Sequence, residues 1–160
     1  MENQLVFKAL HDSLTGLPNR DLCLERLQRL LDDACSCRRG FAAAFVDLDR
    51  CKMLNDSLGH SFGDRVLLEA AQRLSHGVAG RGEVCRFGGD EFVLLVNRAD
   101  GAQDAKRAID EALEALCAPM RGMPNSLHTS GSRLRGCRQR SRLAWTVQRK
   151  GSSGGRRPAA

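Results

Sequence analysis

The chain has 160 residues, a formal net charge of +6 and 42% apolar residues. That length supports one domain with a real core, and no run of about 18 apolar residues is present to span a bilayer. Seven cysteines, odd in number and irregularly spaced, fit reduced thiols rather than a disulfide frame or a zinc site, and Met1-Glu2-Asn3-Gln4 opens no secretory leader.

Charge is divided along the chain. Ten of the 25 Lys and Arg residues lie beyond residue 114, and none of the 19 Asp and Glu. A mildly acidic domain is therefore followed by a basic, Gly/Ser/Arg-rich tail. Residues 1–11 read as a helix end with Leu5, Ala9 and Leu10 on one side. Residues 12–20 form a loop punctuated by Gly16 and Pro18, with Asn19 as N-cap of the next helix. That helix shows Leu24, Leu27, Leu31 and Ala34 at spacings of three and four, and Arg38-Arg39-Gly40 ends it. The apolar run 41–46 predicts a central strand buried on both faces, ending in Asp47-Leu48-Asp49, whose two carboxylates share a face. A polar turn over 55–60 follows. A second helix opens at Gly63-Asp64, with Leu67, Ala70, Ala71 and Leu74 facing inward. Strands over 84–87 and 91–96 flank Gly88-Gly89, a pair suited to the positive backbone angles of a tight hairpin. A third helix, N-capped by Asp100, carries Ala105, Ile109, Ala112 and Leu116 inward, and Pro119 ends it. Beyond Met120 periodicity fails. Residues 121–160 read as disordered, with one apolar patch at 143–147.

The chemistry follows from hard oxygen donors. Magnesium takes one or two carboxylates plus phosphates and water. Asp47 at a strand end and Asp90 in a hairpin meet if their strands are neighbours, and Gly88-Gly89 lets a nucleotide approach the backbone. A solvated acidic turn is the alternative from pairing logic alone.

Three segments carry a resemblance to a known family. They are Asp12-x-Leu14-Thr15-Gly16-Leu17-Pro18-Asn19-Arg20, then Phe45-Val46-Asp47-Leu48-Asp49 continuing through Lys52, Asn55, Asp56, Gly59, His60, Gly63 and Asp64, then Arg86-Phe87-Gly88-Gly89-Asp90-Glu91-Phe92. Together and in this order they resemble the GGDEF (diguanylate cyclase) family. The resemblance implies an α/β fold with a nucleotidyl-cyclase-like, ferredoxin-like sheet, flanking helices and an antiparallel β-hairpin. It implies Mg2+ held by Asp47, Asp90 and the Leu48 carbonyl. Asn55 and Asp64 would read guanine, and His60 would line the nucleotide pocket beside Gly88 and Gly89. Lys52 would neutralise phosphate charge, and Asp90 or Glu91 would help deprotonate the attacking hydroxyl. The implied reaction condenses two GTP into cyclic di-GMP across a homodimer, in the cytoplasm. The alternative is an inactive GTP-binding regulatory domain from a tandem cyclase/phosphodiesterase protein. The basic tail also permits salt-sensitive, non-specific nucleic-acid binding, although one Trp and no Tyr offer few stacking surfaces.

The sequence departs from the family pattern in four places. Cys51 stands where an aromatic residue commonly precedes the lysine. Ala79 and Gly82 replace the Arg-x-x-Asp of the inhibitory product site, which predicts no feedback by that route. Residues 1–11 read as a signalling-helix remnant without its input domain. After the third helix the family's Ser-Ile-Gly strand, Ala-Asp helix and phosphate-gripping Lys/Arg pair are not recognisable. The expected organisation is an incomplete domain over 12–120 and a tail over 121–160 read in a shifted frame or added by design, leaving an exposed strand edge.

Overall fold

A computed structural model of the chain describes residues 7–37, 41–48, 55–56, 58–97, 102–118 and 142–144. In chain order the elements are α1 (Arg20–Cys37), β1 (Ala42–Asp47), α2 (His60–Gly77), β2 (Gly82–Arg86), β3 (Glu91–Val96), α3 (Ala102–Cys117) and β4 (Arg142–Ala144). The strands form one sheet in the order β2-β3-β1-β4, with every neighbouring pair antiparallel. This is the expected ferredoxin-like arrangement. The helix between β1 and β2 leaves room for β3 to insert between those two strands.

The two faces of the sheet are covered differently. On one face α2 and α3 pack against the alternate residues Ala42, Ala44 and Val46 of β1 and Phe92, Leu94 and Val96 of β3. Leu67, Ala70, Ala71 and Leu74 of α2 are all buried, as are Ala105, Ile109, Ala112 and Leu116 of α3. Both apolar stripes therefore fall where periodicity places them. On the other face α1 brings Cys23 against Cys85, Val93 and Leu95, with Leu27, Leu30, Ala43 and Phe45 only partly covered. β1 is consequently buried on one face and half-buried on the other, not buried on both as its apolar run suggests.

The helix stripe of α1 is also rotated from the expected one. Leu24 is 46% exposed, while Leu22 and Cys23 are buried. Leucines surround this helix, so its phase is set by what it meets on the sheet, here Cys85. Asn19 does cap α1: its Oδ1 accepts from the N–H groups of Asp21 (3.1 Å) and Leu22 (3.2 Å).

α2 and α3 approach closely because Gly77 lacks a side chain. A Cβ there would lie 2.4 Å from the Ala112 Cα. Arg73 of α2 reaches across to the carbonyls of Ala115 (3.2 Å) and Ala118, satisfying acceptors at the end of α3. Arg38-Arg39-Gly40, Asp100 and Pro119 lie outside the described residues. On the side away from β3, β1 is paired by the three-residue β4, which sets Ala43 opposite Ala144 and Phe45 opposite Arg142. Part of the segment expected to lack structure thus supplies the fourth strand.

Candidate active site

The site is organised by the end of the β1–β3 ladder. Asp47 stands opposite Glu91, and the next N–H, that of Leu48, donates to the Asp90 carbonyl at 3.0 Å. Cross-strand partners share a face, so two carboxylates confront each other with Asp90 adjoining. Like charges placed opposite each other destabilise a sheet, which makes this end of the ladder suited to a cation. Among the described residues no three Asp, Glu, His or Cys side chains form a ready metal cage. The donors at the ladder end match a hard ion that completes its shell with phosphate and water.

The hairpin after β2 is wider than a two-residue turn. Phe87-Gly88-Gly89-Asp90 forms the loop, closed by the Phe87 N–H donating to the Glu91 carbonyl at 2.8 Å. Neither Gly88 nor Gly89 has a positive φ, contrary to the tight-turn expectation. Their value is spatial. A Cβ at Gly88 would lie 2.5 Å from the Glu91 Oε2, whereas Gly89 faces open space.

A polar clamp holds this hairpin. The Arg86 guanidinium donates to the Gly89 carbonyl (2.7 Å from Nη2) and to both Asp12 oxygens (3.0 and 2.9 Å). Asp12 in turn accepts from the Thr15 N–H and hydroxyl, each at 2.7 Å. Burial acts to raise the Asp12 pKa, but the Thr15 and Arg86 hydrogen bonds and the Arg86 charge outweigh it and hold the carboxyl below its ordinary value. The sequence assigned no role to this pair. Its signal was two opposite charges at fixed places in two motifs, neither with an obvious local partner. A surface cleft beside the clamp lies between Asp12, Arg20 and Arg86-Phe87-Gly88, with the Arg20 guanidinium 5.0 Å from the Phe87 ring centroid. None of Asp47, Asn55, Asp64 or Asp90 lines it.

The second half of the site precedes and opens α2. Asn55 and Asp56 are helical rather than part of an irregular turn, and α2 begins at His60, three residues before the expected start. Gly59 joins the two pieces with φ 86°, a left-handed conformation that favours glycine, and its N–H donates to the Asn55 carbonyl at 2.9 Å. His60 and Asp64, four residues apart, share the exposed side of the first turns. Asn55 is partly buried, and its Oδ1 is fully buried without a hydrogen-bond partner. Asp49, Cys51 and Lys52 lie outside the described residues.

The family profile described as "Diguanylate cyclase, GGDEF domain" matches residues 9–133. The chain belongs to the GGDEF family. The match passes Met120, the limit set by periodicity, so this GGDEF domain retains recognisable sequence into the basic segment. The chain is 47% identical over 118 residues to the diguanylate cyclase TpbB of Pseudomonas aeruginosa, covering 73% of this chain and 27% of that protein. It is 38% identical over 129 residues to the bifunctional diguanylate cyclase/cyclic di-GMP phosphodiesterase MucR of the same species, covering 81% and 19%. The GGDEF chain therefore spans about a fifth to a quarter of these relatives. Among solved structures it resembles the TpbB GGDEF domain with a TM-score of 0.65 at 43% identity, covering 69% of this chain and 64% of that one. It also resembles the P. aeruginosa diguanylate cyclase SiaD, solved with its activator SiaC, with a TM-score of 0.68 at 31% identity, covering 76% and 46%. Among the described residues no helix is long and apolar enough to cross a membrane.

Proposed function

We propose that this GGDEF domain condenses two GTP into cyclic di-GMP with Mg2+, each domain holding one GTP and two domains facing each other in a homodimer. The supporting observation is the ladder end, where Asp47 pairs with Glu91 and the adjoining Asp90 closes a hairpin whose Gly88 and Gly89 carry no side chains. Asp47 and Asp90, with the Leu48 carbonyl, would hold the metal. When bound, Mg2+ supplies charge stabilisation at the phosphates and lowers the pKa of the attacking hydroxyl. The remaining work falls to the chain. Asn55 and Asp64 bind the guanine edge, the amide donating to the base carbonyl and the carboxylate accepting from its N–H groups. His60 lines the same pocket. The 3′-oxygen of each GTP forms a bond to the α-phosphorus of the other, one pyrophosphate leaves in each of the two attacks, and each hydroxyl proton passes to Asp90 or Glu91 of its own domain. Lys52 offsets the charge that develops on the phosphate. With GTP as substrate the domain works in the cytoplasm.

The test is chromatography of the purified chain incubated with GTP and magnesium, beside Asp90→Ala. Cyclic di-GMP should form, and the substitution should reduce its rate on the order of 10²–10³-fold or more. EDTA should stop the reaction. Absence of product from the parent chain would overturn the reading.

A further inference from the structure

Gly63 sits in the second turn of α2, buried, where glycine is among the poorest helix formers. The reason is spatial and specific. A Cβ built at this position would lie 1.8 Å from the Asn55 Oδ1, 2.8 Å from its Cγ and 3.2 Å from its Nδ2, and these are its three nearest neighbours. The Asn55 amide thus rests on the bare Cα of Gly63 with its oxygen inward. That same oxygen is the buried side-chain acceptor without a hydrogen-bond partner. Its orientation has a physical basis. An inward oxygen meets a Cα–H, a weak attractive contact, whereas an inward NH2 would bury two donors against C–H groups. The nitrogen is therefore the end of the amide left for a ligand.

We propose that Gly63 sets nucleobase specificity by positioning. It fixes the Asn55 amide oxygen-in, so that the outward NH2 selects a base with a carbonyl at C6, guanine or hypoxanthine, over adenine. Adenine presents an amine at that position, so a donor would face a donor. This rests on the nucleotide-binding reading above and adds a residue that does not itself touch the base.

The experiment measures binding of 3′-deoxy-GTP, 3′-deoxy-ITP and 3′-deoxy-ATP, which lack the attacking hydroxyl, to the parent chain, Gly63→Ala, Asn55→Ala and the double variant, with magnesium. Gly63→Ala should weaken both 6-carbonyl nucleotides about tenfold, by a similar factor, and leave the adenine nucleotide unchanged. Asn55→Ala should do the same, and the double variant should lose nothing more, because both changes remove one contact. In the Asn55→Ala background the alanine at 63 meets no amide, so it should raise the melting temperature. A parent chain that binds no guanine nucleotide would overturn both this inference and the proposed function. A parent that binds, with Gly63→Ala retaining its affinity and selectivity, would overturn only the inference, as would additive losses in the double variant. Should Gly63→Ala fail to fold, recovery of folding in the double variant supports the steric cause. Failure of the double variant as well overturns it.

Discussion

The two faces of the sheet hold the molecule together by different means. The α2/α3 face is a dry interlock of Phe92, Leu94, Leu74 and Ile109, all fully buried. The α1 face has only a small apolar patch at Cys23, Cys85, Val93 and Leu95. The polar clamp of Asp12, Thr15 and Arg86 stands at the β2 edge on the α2/α3 side, where Arg86 pairs with Phe92 and Leu14 and Leu17 of the same loop pack against that core. The first face stabilises through area removed from water. The second face stabilises less, and it is the clamp at the β2 edge that fixes where the hairpin lies. Substitutions should accordingly separate into those that change stability and those that change the placement of Asp90.

The largest expected loss of stability is at Leu94. Leu94→Ala should cost about 3 kcal/mol in urea unfolding, against about 2 kcal/mol for Leu95→Ala, where half-buried neighbours can relax into the space. Equal costs would break the distinction between the faces. Next, Asp12→Ala removes the partner of an Arg86 guanidinium whose side chain is only 12% exposed. It should cost about 1–2 kcal/mol and lower the rate of product formation more than it raises KM for GTP. The pH dependence sharpens this case. The folded Asp12 carboxyl lies below its ordinary value of 3.8, so its contribution is complete above that value and is lost as pH falls through the lower folded one. Stability profiles of the parent and Asp12→Asn should therefore converge only below about pH 4. Asn19→Ala removes the α1 cap and should cost about 1 kcal/mol. Leu24→Gln alters an exposed side chain and should stay within about 0.5 kcal/mol, whereas a larger loss would return Leu24 to the core.

Much of the fold was legible because local pattern and tertiary environment agree. β3 is bounded where its apolar run is bounded, and α2 and α3 each have a single apolar stripe that meets one layer. α1 was not legible in phase, since leucines at 22, 24, 27, 30 and 31 leave several faces possible and only the opposing Cys85 decides between them. The hairpin was misread because Gly-Gly carries two meanings, conformational freedom and absence of bulk, and here it serves the second. In the site, the juxtaposition of Asp47 with the hairpin followed from strand pairing. The clamp did not, because Asp12 and Arg86 are 74 residues apart and nothing periodic links them. The fit of Gly63 to Asn55 was likewise invisible, because a helical glycine signals a missing side chain without naming the neighbour that fills its place.

The loop over residues 12–20 has one more consequence, for how copies of the chain meet each other. Among the described strands β2 is the outer one on its side of the sheet. An open strand of this kind invites pairing with another molecule. Here the Arg86 N–H is taken by the Pro18 carbonyl at 2.9 Å and the Gly82 N–H by the Val78 carbonyl at 2.9 Å, while Glu83 pairs with Arg26. The loop that steadies the hairpin thus also covers one end of this edge, so loosening it would open that end to pairing as well as misplace Asp90.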